Sequence, residues 1–507
     1  NSSSKSSGGA IYVNGDNTTI LDSEFANITA TANGGAIYIA GAYTDIDLSS
    51  FYNCTTTKSN TGGAIYIDDE GTTISYSNFT KSFSGSAGAI SINGANTTID
   101  HCNVYDNEVT GFAGAIHVSG SNTIISYSNF TNNRAKGGSG GALDIGGQNA
   151  SVLYSNFDYN DAKDNGGAIN WIGGHGADSI IGCSFTFNGC HGTSKGGGAI
   201  YWTAGEPVTA GGLIKDTVFI NNTAYGKHGG AINWYHALDS VFDNCTFINN
   251  TSNSDGGALY TGHQAGGGFN LSILNSRFYH NTGLHGGAIA NQMPNSLIYN
   301  CDFNYNTARQ SGGSIVMKEG SADNSVIDHC NISNSHVLLS GDRWGEGGGS
   351  ISIGSPDENI TISNCIVLMS TVDNRYGGSV AVRSKDSSII NVTIINSTTL
   401  NEGSGSIFWS GSYGTLENVT IINSTSMNRD NLRDANAGGV YWSGSYGRLN
   451  NLTIINASTT NNNTAGSKSA NAGAIHISGE HTTLTNVNIT NTSATALNGN
   501  ANGGGIY

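Results

Sequence analysis

The five residues from Gly8 to Tyr12, Gly-Gly-Ala-Ile-Tyr, return with small variations about eighteen times in this chain of 507 residues. Successive copies are spaced from 25 residues, between Gly63 and Gly88, to 36 residues, between Gly313 and Gly349. This is the spacing of solenoid repeats, and it is too short for a domain that folds alone. Because one such unit cannot bury its own apolar side chains, the repeat predicts a stack of units.

Each copy of the repeat consists of short strands joined by turns. Ile65 and Ile67 alternate with Tyr66, which is the period of a half-buried strand. Two places after the second glycine the residue is Ile, Leu or Val in every copy, so this column is expected to face the core. Further along each copy, as in residues 240–250, two more short strands meet at a bend. Asn244 suits that bend because Asn tolerates left-handed backbone angles.

Three short strands and three turns per repeat predict an all-β parallel β-helix of about seventeen to eighteen turns. One such β-helix is expected over residues 1–507. Residues 1–312 carry the regular Gly-Gly-Ala-Ile and Phe-x-x-Asn pattern, and residues 313–507 are a diverged, Ile-rich part with longer loops. The chain begins and ends inside a repeat, so it is expected to be a segment of a longer polypeptide that holds the signal and anchoring segments.

The composition argues against several classes of partner. Charged residues make up 11% of the chain, compared with about 25% in average proteins, and the net charge is −16. The basic surface that nucleic acids require is missing, so no nucleic-acid partner is expected. No apolar run approaches the length of a membrane span, so none is expected in this segment.

The repeat motifs are similar to those of known surface proteins. Gly-Gly-Ala-(Ile/Leu/Val) alternates with Phe-x-x-Asn, as in Phe157 to Asn160, Phe219 to Asn222 and Phe278 to Asn281. This resembles the repeats of chlamydial polymorphic membrane proteins, and the Asn- and Thr-rich setting resembles adhesin-like surface proteins of methanogenic archaea. Both resemblances imply a right-handed, pectate-lyase-like β-helix displayed on a cell surface. The carboxy-terminal membrane barrel of the chlamydial pattern is not expected within this segment.

Aromatic and cysteine columns recur at fixed offsets. Five tryptophans share the offset of core Ile and Val residues, so they are expected to form buried stacks: Trp171, Trp202, Trp234, Trp409 and Trp442. The neighbouring column is expected to face outward, where it could contact sugars: Tyr12, Tyr38, Tyr66, Tyr201, Tyr260 and Tyr441. Six cysteines share a column that elsewhere holds Ser, and a ladder of small side chains with free thiols is favoured over a disulfide: Cys102, Cys183, Cys245, Cys301, Cys330 and Cys365.

Long loops before four of the later Gly-Gly strands gather charges that are rare elsewhere in the chain. Their candidate ligand-binding residues are Asp342, Arg343, Trp344, Glu346, Asp373, Arg375, Tyr376, Arg429, Asp430 and Arg433. The alternative is that Arg–Asp pairs in these loops only fix the loop conformation.

Other candidate sites are weaker. Asn-x-Ser/Thr triplets predict glycosylation of a secreted chain at Asn27, Asn78, Asn129, Asn249, Asn391, Asn418 and Asn451. Of these, Asn391 and Asn418 lie close to core positions and are expected to be less accessible. The run Asp68 to Glu70 suggests structural calcium but has fewer ligands than a dedicated site needs. No catalytic residue, other metal or cofactor is predicted.

The function favoured by the sequence is that of a non-enzymatic, extracellular cell-surface protein. It is expected to be an adhesin-like stalk or binding surface that contacts glycans or proteins of other cells. Two alternatives remain open. One is a polysaccharide lyase or glycoside hydrolase of the β-helix class, whose carboxylates and bases would come from the charged loops. The other is a subunit that stacks end to end with copies of itself into a filament or layer.

Overall fold

A computed structural model describes residues 2–173, 176–204, 211–236, 238–262, 270–318, 320, 322–338, 347–373, 377–401, 403–428, 434–463 and 468–507. The chain is an all-β, right-handed parallel β-helix of about 17 turns. None of the described residues forms a helix, and none therefore supplies a helical membrane span. The chain divides into two compact units, residues 1–253 and 254–507, called unit 1 and unit 2.

Each unit has three parallel sheets. They are numbered here in the order in which the chain passes through them within one turn of the β-helix. The first sheet contains the strands that directly follow the Gly-Gly pairs. In unit 1 these strands are Ile11–Val13, Ile37–Ile39, Ile65–Ile67, Ile90–Ile92, Ile116–Val118, Leu143–Ile145, Ile169–Gly173, Ile200–Ala204 and Ile232–Tyr235. In unit 2 they are Leu259–Gly262, Ile289–Asn291, Ile315–Met317, Ile351–Ile353, Val380–Val382, Ile407–Trp409, Val440–Trp442 and Ile475–Ile477.

The second sheet receives two strands from most turns, separated by a bend. In unit 1 these are Thr19–Leu21, Glu24–Ala26, Asp45–Asp47, Ser50–Tyr52, Thr73–Ser75, Asn78–Thr80, Thr98–Asp100, Asn103–Tyr105, Ile124–Ser126, Asn129–Thr131, Ser151–Leu153, Asn156–Asp158, Ser179–Ile181, Ser184–Thr186, Leu213–Lys215, Val218–Ile220, Ser240–Asp243 and Thr246–Ile248. In unit 2 they are Leu271–Leu274, Arg277–Tyr279, Leu297–Tyr299, Asp302–Asn304, Val326–Asp328, Asn331–Ser333, Thr361–Ser363, Ile366–Leu368, Ser388–Ile390, Thr393–Ile395, Thr415–Ile422, Arg448–Ile455, Thr483–Thr485 and Asn488–Thr490.

The third sheet is made of short strands that lead back toward the next Gly-Gly pair. In unit 1 these are Ser2–Ser4, Ile28–Ala30, Phe83–Ser84, Glu108–Val109, Arg134–Ala135, Asp161–Ala162, Gly189–Cys190, Thr223–Ala224 and Thr251–Ser252. In unit 2 they are Thr282–His285, Thr307–Ser311, His336–Val337, Thr371–Val372, Thr398–Leu400, Thr425–Asn428, Ser458–Asn461 and Ser493–Ala496. Unit 2 also contains a small additional sheet of Gly403–Ser404, Ala435–Ala437, Ala470–Ala472 and Ala501–Gly503.

Parallel pairing in register places like residues over one another. Ile65 pairs with Ile90, and Ile90 pairs with Ile116, so the predicted aliphatic column is a continuous buried file. Phe157 and Phe185 stack with ring centroids 4.7 Å apart, nearly parallel. The Phe and Ile columns thus form continuous apolar files in the interior, because strand pairing sets an interval of about 4.8 Å between turns.

The Gly-Gly pair is explained by two different constraints at its two positions. Gly140 has a φ of 70°, a left-handed conformation that L side chains rarely adopt. Gly141 faces the next turn, where an added Cβ would lie 1.9 Å from the carbonyl oxygen of Gly167. One glycine therefore permits the turn, and the other permits the close approach of neighbouring turns.

The bends contain many left-handed residues, as predicted for Asn244, whose φ is 53°. Tyrosines also occupy this bend at Tyr76, Tyr127 and Tyr154, where Asn would be the expected residue. Tyr127 stacks on Tyr154 with ring centroids 5.1 Å apart. Stacking between neighbouring turns offsets the strain of a left-handed backbone at a large side chain.

The Asn of the Phe-x-x-Asn motif lies in the interior of the β-helix. Asn side chains of successive turns are hydrogen-bonded to one another and form a buried ladder. Asn160 donates through Nδ2 to the carbonyl oxygen of Phe130 at 2.9 Å and to Oδ1 of Asn188 at 3.0 Å. Its own Oδ1 accepts from the backbone N–H of Asn133 at 3.0 Å. The amide satisfies backbone groups at a corner where the chain leaves the sheet, which explains why the motif keeps this residue.

We expect Asn160→Ala to lower the free energy of unfolding by about 1–3 kcal/mol, because it leaves the buried partners of the ladder without hydrogen bonds. The measurement is the shift of the guanidinium unfolding midpoint followed by circular dichroism. Asn156→Ala is the matched control, since Asn156 lies in the same turn and donates to Asn129 at 2.9 Å but is exposed. A substitution of this kind at the surface is expected to lower the free energy of unfolding by less than about 0.5 kcal/mol. Equal losses in the two variants would contradict a stabilising role for the buried ladder.

Candidate functional site

The first sheet of unit 1 presents a column of side chains to the outside, called here the outward file. Its members are the second residues of successive strands: Tyr12, Tyr38, Tyr66, Ser91, His117, Asp144, Asn170, Tyr201 and Asn233. Their flanking strand residues point into the core, because side chains alternate along a strand. The file therefore combines aromatic, hydroxyl, imidazole, carboxylate and amide groups in one line.

Three stacked tyrosines begin the outward file. The ring centroids of Tyr12 and Tyr38 are 4.9 Å apart, and those of Tyr38 and Tyr66 are 5.0 Å apart. Tyr38 donates through its hydroxyl to Oδ2 of Asp68 at 3.0 Å. Burial, together with the Asp68 carboxylate, raises the pKa of Tyr38 above its usual value. The stack of rings ends at Tyr66, which is 9% exposed, because the next residue of the file is Ser91, which has no ring.

Tyr66 is the point at which this stack joins a polar network. The Tyr66 hydroxyl accepts a hydrogen bond from Nδ2 of Asn93 at 2.5 Å. Oδ1 of Asn93 in turn accepts from the Ser119 hydroxyl at 2.8 Å. Burial raises the pKa of Tyr66, so its hydroxyl keeps its proton at neutral pH and can still donate.

Three later members of the file, His117, Asp144 and Asn170, form a connected chain of hydrogen bonds. Nδ1 of His117 lies 3.0 Å from Oδ2 of Asp144. Nδ2 of Asn170 donates to the other carboxylate oxygen, Oδ1 of Asp144. Asp144 is 9% exposed and Asn170 is 5% exposed. Because both carboxylate oxygens have partners, Asp144 is a fixed acceptor that determines which ring nitrogen of His117 carries the proton.

The end of the file is closed to solvent. Tyr201 is 2% exposed, and the Lys195 ammonium lies 5.0 Å from its ring centroid. Within the part of the chain that the structure describes, the Tyr201 hydroxyl has no hydrogen-bond partner. Tyr260, the equivalent residue in the first turn of unit 2, is 7% exposed. The expectation that these rings face solvent is therefore wrong for Tyr201 and Tyr260, because neighbouring side chains cover them. It is also wrong for Tyr66, which is 9% exposed and lines a groove.

A groove of about 660 Å³ lies beside the open half of the outward file. Tyr66, Ser91 and His117 line it from the sheet, and Lys58, Asn93 and Phe112 line it from the flanking turns. The Phe112 ring meets the His117 ring edge-on, with centroids 5.2 Å apart. Most of the side chains around the groove are neutral amides and hydroxyls, which makes it a site for hydrogen bonding rather than for ion pairing.

A second polar cluster lies on the third sheet of unit 1. Asp161 accepts from Nε of Arg134 at 3.2 Å and from Nε2 of His191 at 2.8 Å. The His191 ring stacks on Tyr225, with centroids 4.7 Å apart. Here the carboxylate is already paired with the Arg134 guanidinium and the His191 imidazole, so this cluster has the character of an exposed polar network.

The charged loops named from the sequence fall mostly outside the described residues. This applies to Asp342, Arg343, Trp344, Glu346, Arg375, Tyr376, Arg429, Asp430 and Arg433. Asp373 is described, and its Oδ1 lies 3.0 Å from Nε2 of His336 in unit 2. The ligand-binding role of these ten residues stays a prediction.

The seven predicted glycosylation asparagines are all exposed. For Asn391 and Asn418 this corrects the expectation of poor access, since both lie at the outer side of a bend. Asn418 donates to Oδ1 of Asn391 at 3.0 Å, and Asn451 donates to Oδ1 of Asn418 at 2.9 Å. These residues form an external amide ladder, and their glycosylation stays a prediction.

The carboxylates of the suggested calcium site are engaged with neighbouring side chains and backbone. Asp68 accepts from Tyr38, and Glu70 accepts from the Tyr43 hydroxyl at 3.2 Å. Oδ1 of Asp69 accepts from the Glu70 backbone N–H at 2.8 Å. Across the described ranges, no group of three or more His, Cys, Asp or Glu residues could hold a metal ion.

The tryptophan and cysteine columns are structural, as predicted. Trp171, Trp202 and Trp234 are fully buried, and successive ring centroids are 4.4 and 4.3 Å apart. The second stack, Trp409 and Trp442, is also buried. All eight cysteines are buried free thiols.

The residues that form the site were not identified as candidates from the sequence. Ser91, His117 and Asp144 all lie three places after the second glycine of successive repeats. In that column, the three polar residues directly follow three tyrosines. This change from aromatic to polar residues is the sequence signal that could have identified the site. Their mutual contacts depend on the strand register, which places Ser91 beside His117 and His117 beside Asp144.

Comparison with known proteins identifies the repeat. The family model of the Chlamydia polymorphic membrane protein repeat matches residues 22–40 and 244–262. Two stretches of the chain thus match this repeat, and both lie on a right-handed parallel β-helix. No curated protein sequence matches the chain.

Some solved structures are similar to the chain at low identity. The periplasmic alginate epimerase AlgG has 10% identity and a TM-score of 0.34, over 76% of this chain and 77% of that chain. A mutant of the same epimerase has 12% identity and a TM-score of 0.29 over the same shares. A PL6 alginate lyase in complex with a trisaccharide has 12% identity and a TM-score of 0.23, over 97% of this chain and 81% of that chain.

The buried thiols are expected to be unreactive in the native chain. Burial is the main cause that raises the pKa of Cys190 and of Cys245 to about 12. Because the thiolate is the reactive form, alkylation by iodoacetamide at pH 8 should be negligible before unfolding. Mass spectrometry of the alkylated protein, with and without guanidinium, measures this directly. Rapid native labelling of either cysteine would contradict the buried assignment.

Proposed function

We propose that the chain is an extracellular cell-surface protein that binds neutral glycans through the groove of unit 1. The match to a repeat of polymorphic membrane proteins supports the surface location. The groove supports the ligand class, and the single observation that carries it is that two aromatic side chains, Tyr66 and Phe112, line the groove together with a rim of amides and hydroxyls. The proposal requires no catalysis.

The hydrogen-bonding groups of the groove match those of a sugar. Amides and hydroxyls can both donate and accept, as sugar hydroxyls do. Asn93 is held at its Nδ2 by Tyr66 and at its Oδ1 by Ser119, so it is fixed at the rim before a ligand arrives. A group held in place in this way loses less conformational entropy on binding.

The exposed aromatic ladders elsewhere are less suited to sugars. Tyr127 lies between His101 and Tyr154, with ring centroids 5.0 and 5.1 Å away, so both of its faces are covered. Such a ladder presents only ring edges to a ligand. Tyr66 differs because only one of its faces is stacked against another ring, and Phe112 is a second aromatic side chain at the same groove.

The charge of the chain favours neutral over acidic glycans. The net charge of −16 repels polyanions at long range, particularly at low salt. Lys58 is the one side chain with a permanent charge among the described residues that line the groove. The single positive charge of Lys58 offsets only a small part of the negative electrostatic potential of the whole chain.

Asn93→Ala and Phe112→Ala are each expected to weaken the binding of neutral oligosaccharides by about 3–10-fold, because each variant loses one hydrogen bond or one contact with the ligand. The measurement is titration calorimetry or ligand-observed NMR on the whole chain, after a glycan panel has identified a neutral oligosaccharide that binds. A polyuronate in the same panel is expected to bind more weakly.

Asn14→Ala is the matched control, because Asn14 follows the Val13 strand at the same offset at which Asn93 follows Ile92. It does not line the groove and should leave the affinity unchanged. If the wild-type chain binds no neutral glycan, or if Asn14→Ala and Asn93→Ala behave alike, the groove is not the binding site.

A further inference from the structure

We propose that Ser91, His117 and Asp144 form a nucleophile, base and orienting carboxylate for the hydrolysis of ester groups, in particular O-acyl groups carried by a glycan. The identity of the acyl carrier rests on the glycan binding proposed above, whereas the ester chemistry rests on these three side chains alone. The inference therefore has its own test.

The three residues are consecutive members of the outward file. Ser91 is the register partner of His117, and His117 is the register partner of Asp144. Their side chains leave the same face of the sheet on neighbouring strands, which lie about 4.8 Å apart. A nucleophile beside a base, with the base oriented by a third group, is the arrangement that activates a serine hydroxyl.

Asp144 fixes the state of the imidazole. A carboxylate accepts but does not donate, so the His117 nitrogen that lies 3.0 Å from Oδ2 of Asp144 carries the proton. In the neutral imidazole, Nε2 of His117 then carries the free electron pair that a general base requires. Asn170 occupies the other oxygen of Asp144, and Phe112 packs edge-on against the imidazole. The ring is thus held on two sides.

Ser91 supplies the second, independent observation. Its side chain is 1% exposed, and its Oγ has no hydrogen-bond partner among the residues that the structure describes. Ser91 nonetheless belongs to the groove lining, together with His117. Rotation about χ1 gives a serine hydroxyl three staggered positions, so the hydrogen bond to His117 can form when a ligand enters.

The reaction balances with water as the only co-reactant. The Ser91 oxygen bonds to the ester carbonyl carbon while its proton passes to Nε2 of His117. The carbon–oxygen bond to the alcohol breaks, and the imidazolium returns the proton to the leaving oxygen. Water then repeats the sequence on the acyl-serine, which releases the acid and restores Ser91. Lys58, which lines the same groove, is a cation that can stabilise the negative charge developing on the carbonyl oxygen.

The chain contains a matched control for the serine. Ser352 occupies the same offset in the first sheet of unit 2, is fully buried, and also has an Oγ without a partner among the described residues. Its register partners are Val316 and Ala381 instead of a histidine. An unpaired hydroxyl alone is therefore not the basis of the proposal, and the two serines separate the effect of His117 from that of burial.

The first experiment treats the whole chain with a fluorophosphonate, which modifies serines that are activated as nucleophiles. Peptide mapping should find the adduct at Ser91 and not at Ser352. The adduct should disappear in His117→Ala. Labelling at any other residue, or no labelling, overturns the proposal.

The second experiment measures hydrolysis of p-nitrophenyl acetate, which needs no glycan binding. Ser91→Ala and His117→Ala are expected to lower kcat/KM by at least about 100-fold, and Ser352→Ala should leave it unchanged. Asp144→Asn should also lower kcat/KM, because an amide in place of the carboxylate no longer holds the His117 ring in the required tautomer. Thermal melts of each variant check that the fold is intact.

The two proposals can fail separately. Hydrolysis and labelling at Ser91 without any glycan binding would leave the esterase and remove the glycan role. Glycan binding with full hydrolysis in Ser91→Ala, or with no hydrolysis by the wild-type chain, would leave the binding role and overturn the esterase.

Discussion

Hydrogen bonding between parallel strands of neighbouring turns is the constraint on which both units depend. It sets an interval of about 4.8 Å along each file, close to the separation at which aromatic rings stack and amides bond to one another. The stacks of Phe157 on Phe185 and of Trp171 on Trp202 are consequences of that interval. So is the buried ladder of Asn160 and Asn188. Ile, Phe, Trp and Asn serve equally well in a file, provided that the neighbours above and below are compatible.

Much of the interior could be predicted from the sequence because it repeats there. The column of Ile65, the buried indoles, the free thiols and the left-handed bend at Asn244 all follow from position within the repeat. The outward file was harder to predict. Whether Tyr66 lines a groove or Tyr201 is covered depends on side chains of other turns, and periodicity alone carries no information about them.

The candidate site shows the same limit. In the sequence, the unusual concentration of charge marks loops such as the one containing Asp373. The groups that the structure brings together, Ser91, His117 and Asp144, are ordinary residues in an ordinary column, and their significance comes from adjacency across strands. Adjacency was available from the repeat offsets, but the hydrogen bond between His117 and Asp144 and the unpaired Ser91 hydroxyl required side-chain coordinates.

The core also shows compensation between positions within one turn. Where Asn occupies the buried corner, as at Asn188, the residue after the Gly-Gly pair is the small Ala168. In unit 2 the corner residue is Ser370 in a turn whose Gly-Gly pair is followed by Ser350, and the two hydroxyls lie 2.6 Å apart. The diverged half of the chain thus keeps the packing of the corner by exchanging one large and one small side chain for two of intermediate size.

The glycine that lies against the next turn affects how the number of turns can change during evolution. Gly141 meets the carbonyl of Gly167 in the same way in which Gly63 meets that of Gly88, so the surfaces that join one turn to the next are nearly the same at different places in unit 1. Recombination between two such places in the gene would remove or duplicate whole turns and rejoin Ile over Ile with the strand register intact. A lineage carrying this architecture can lengthen or shorten by entire turns in single genetic events, while the loops between the glycine pairs diversify independently.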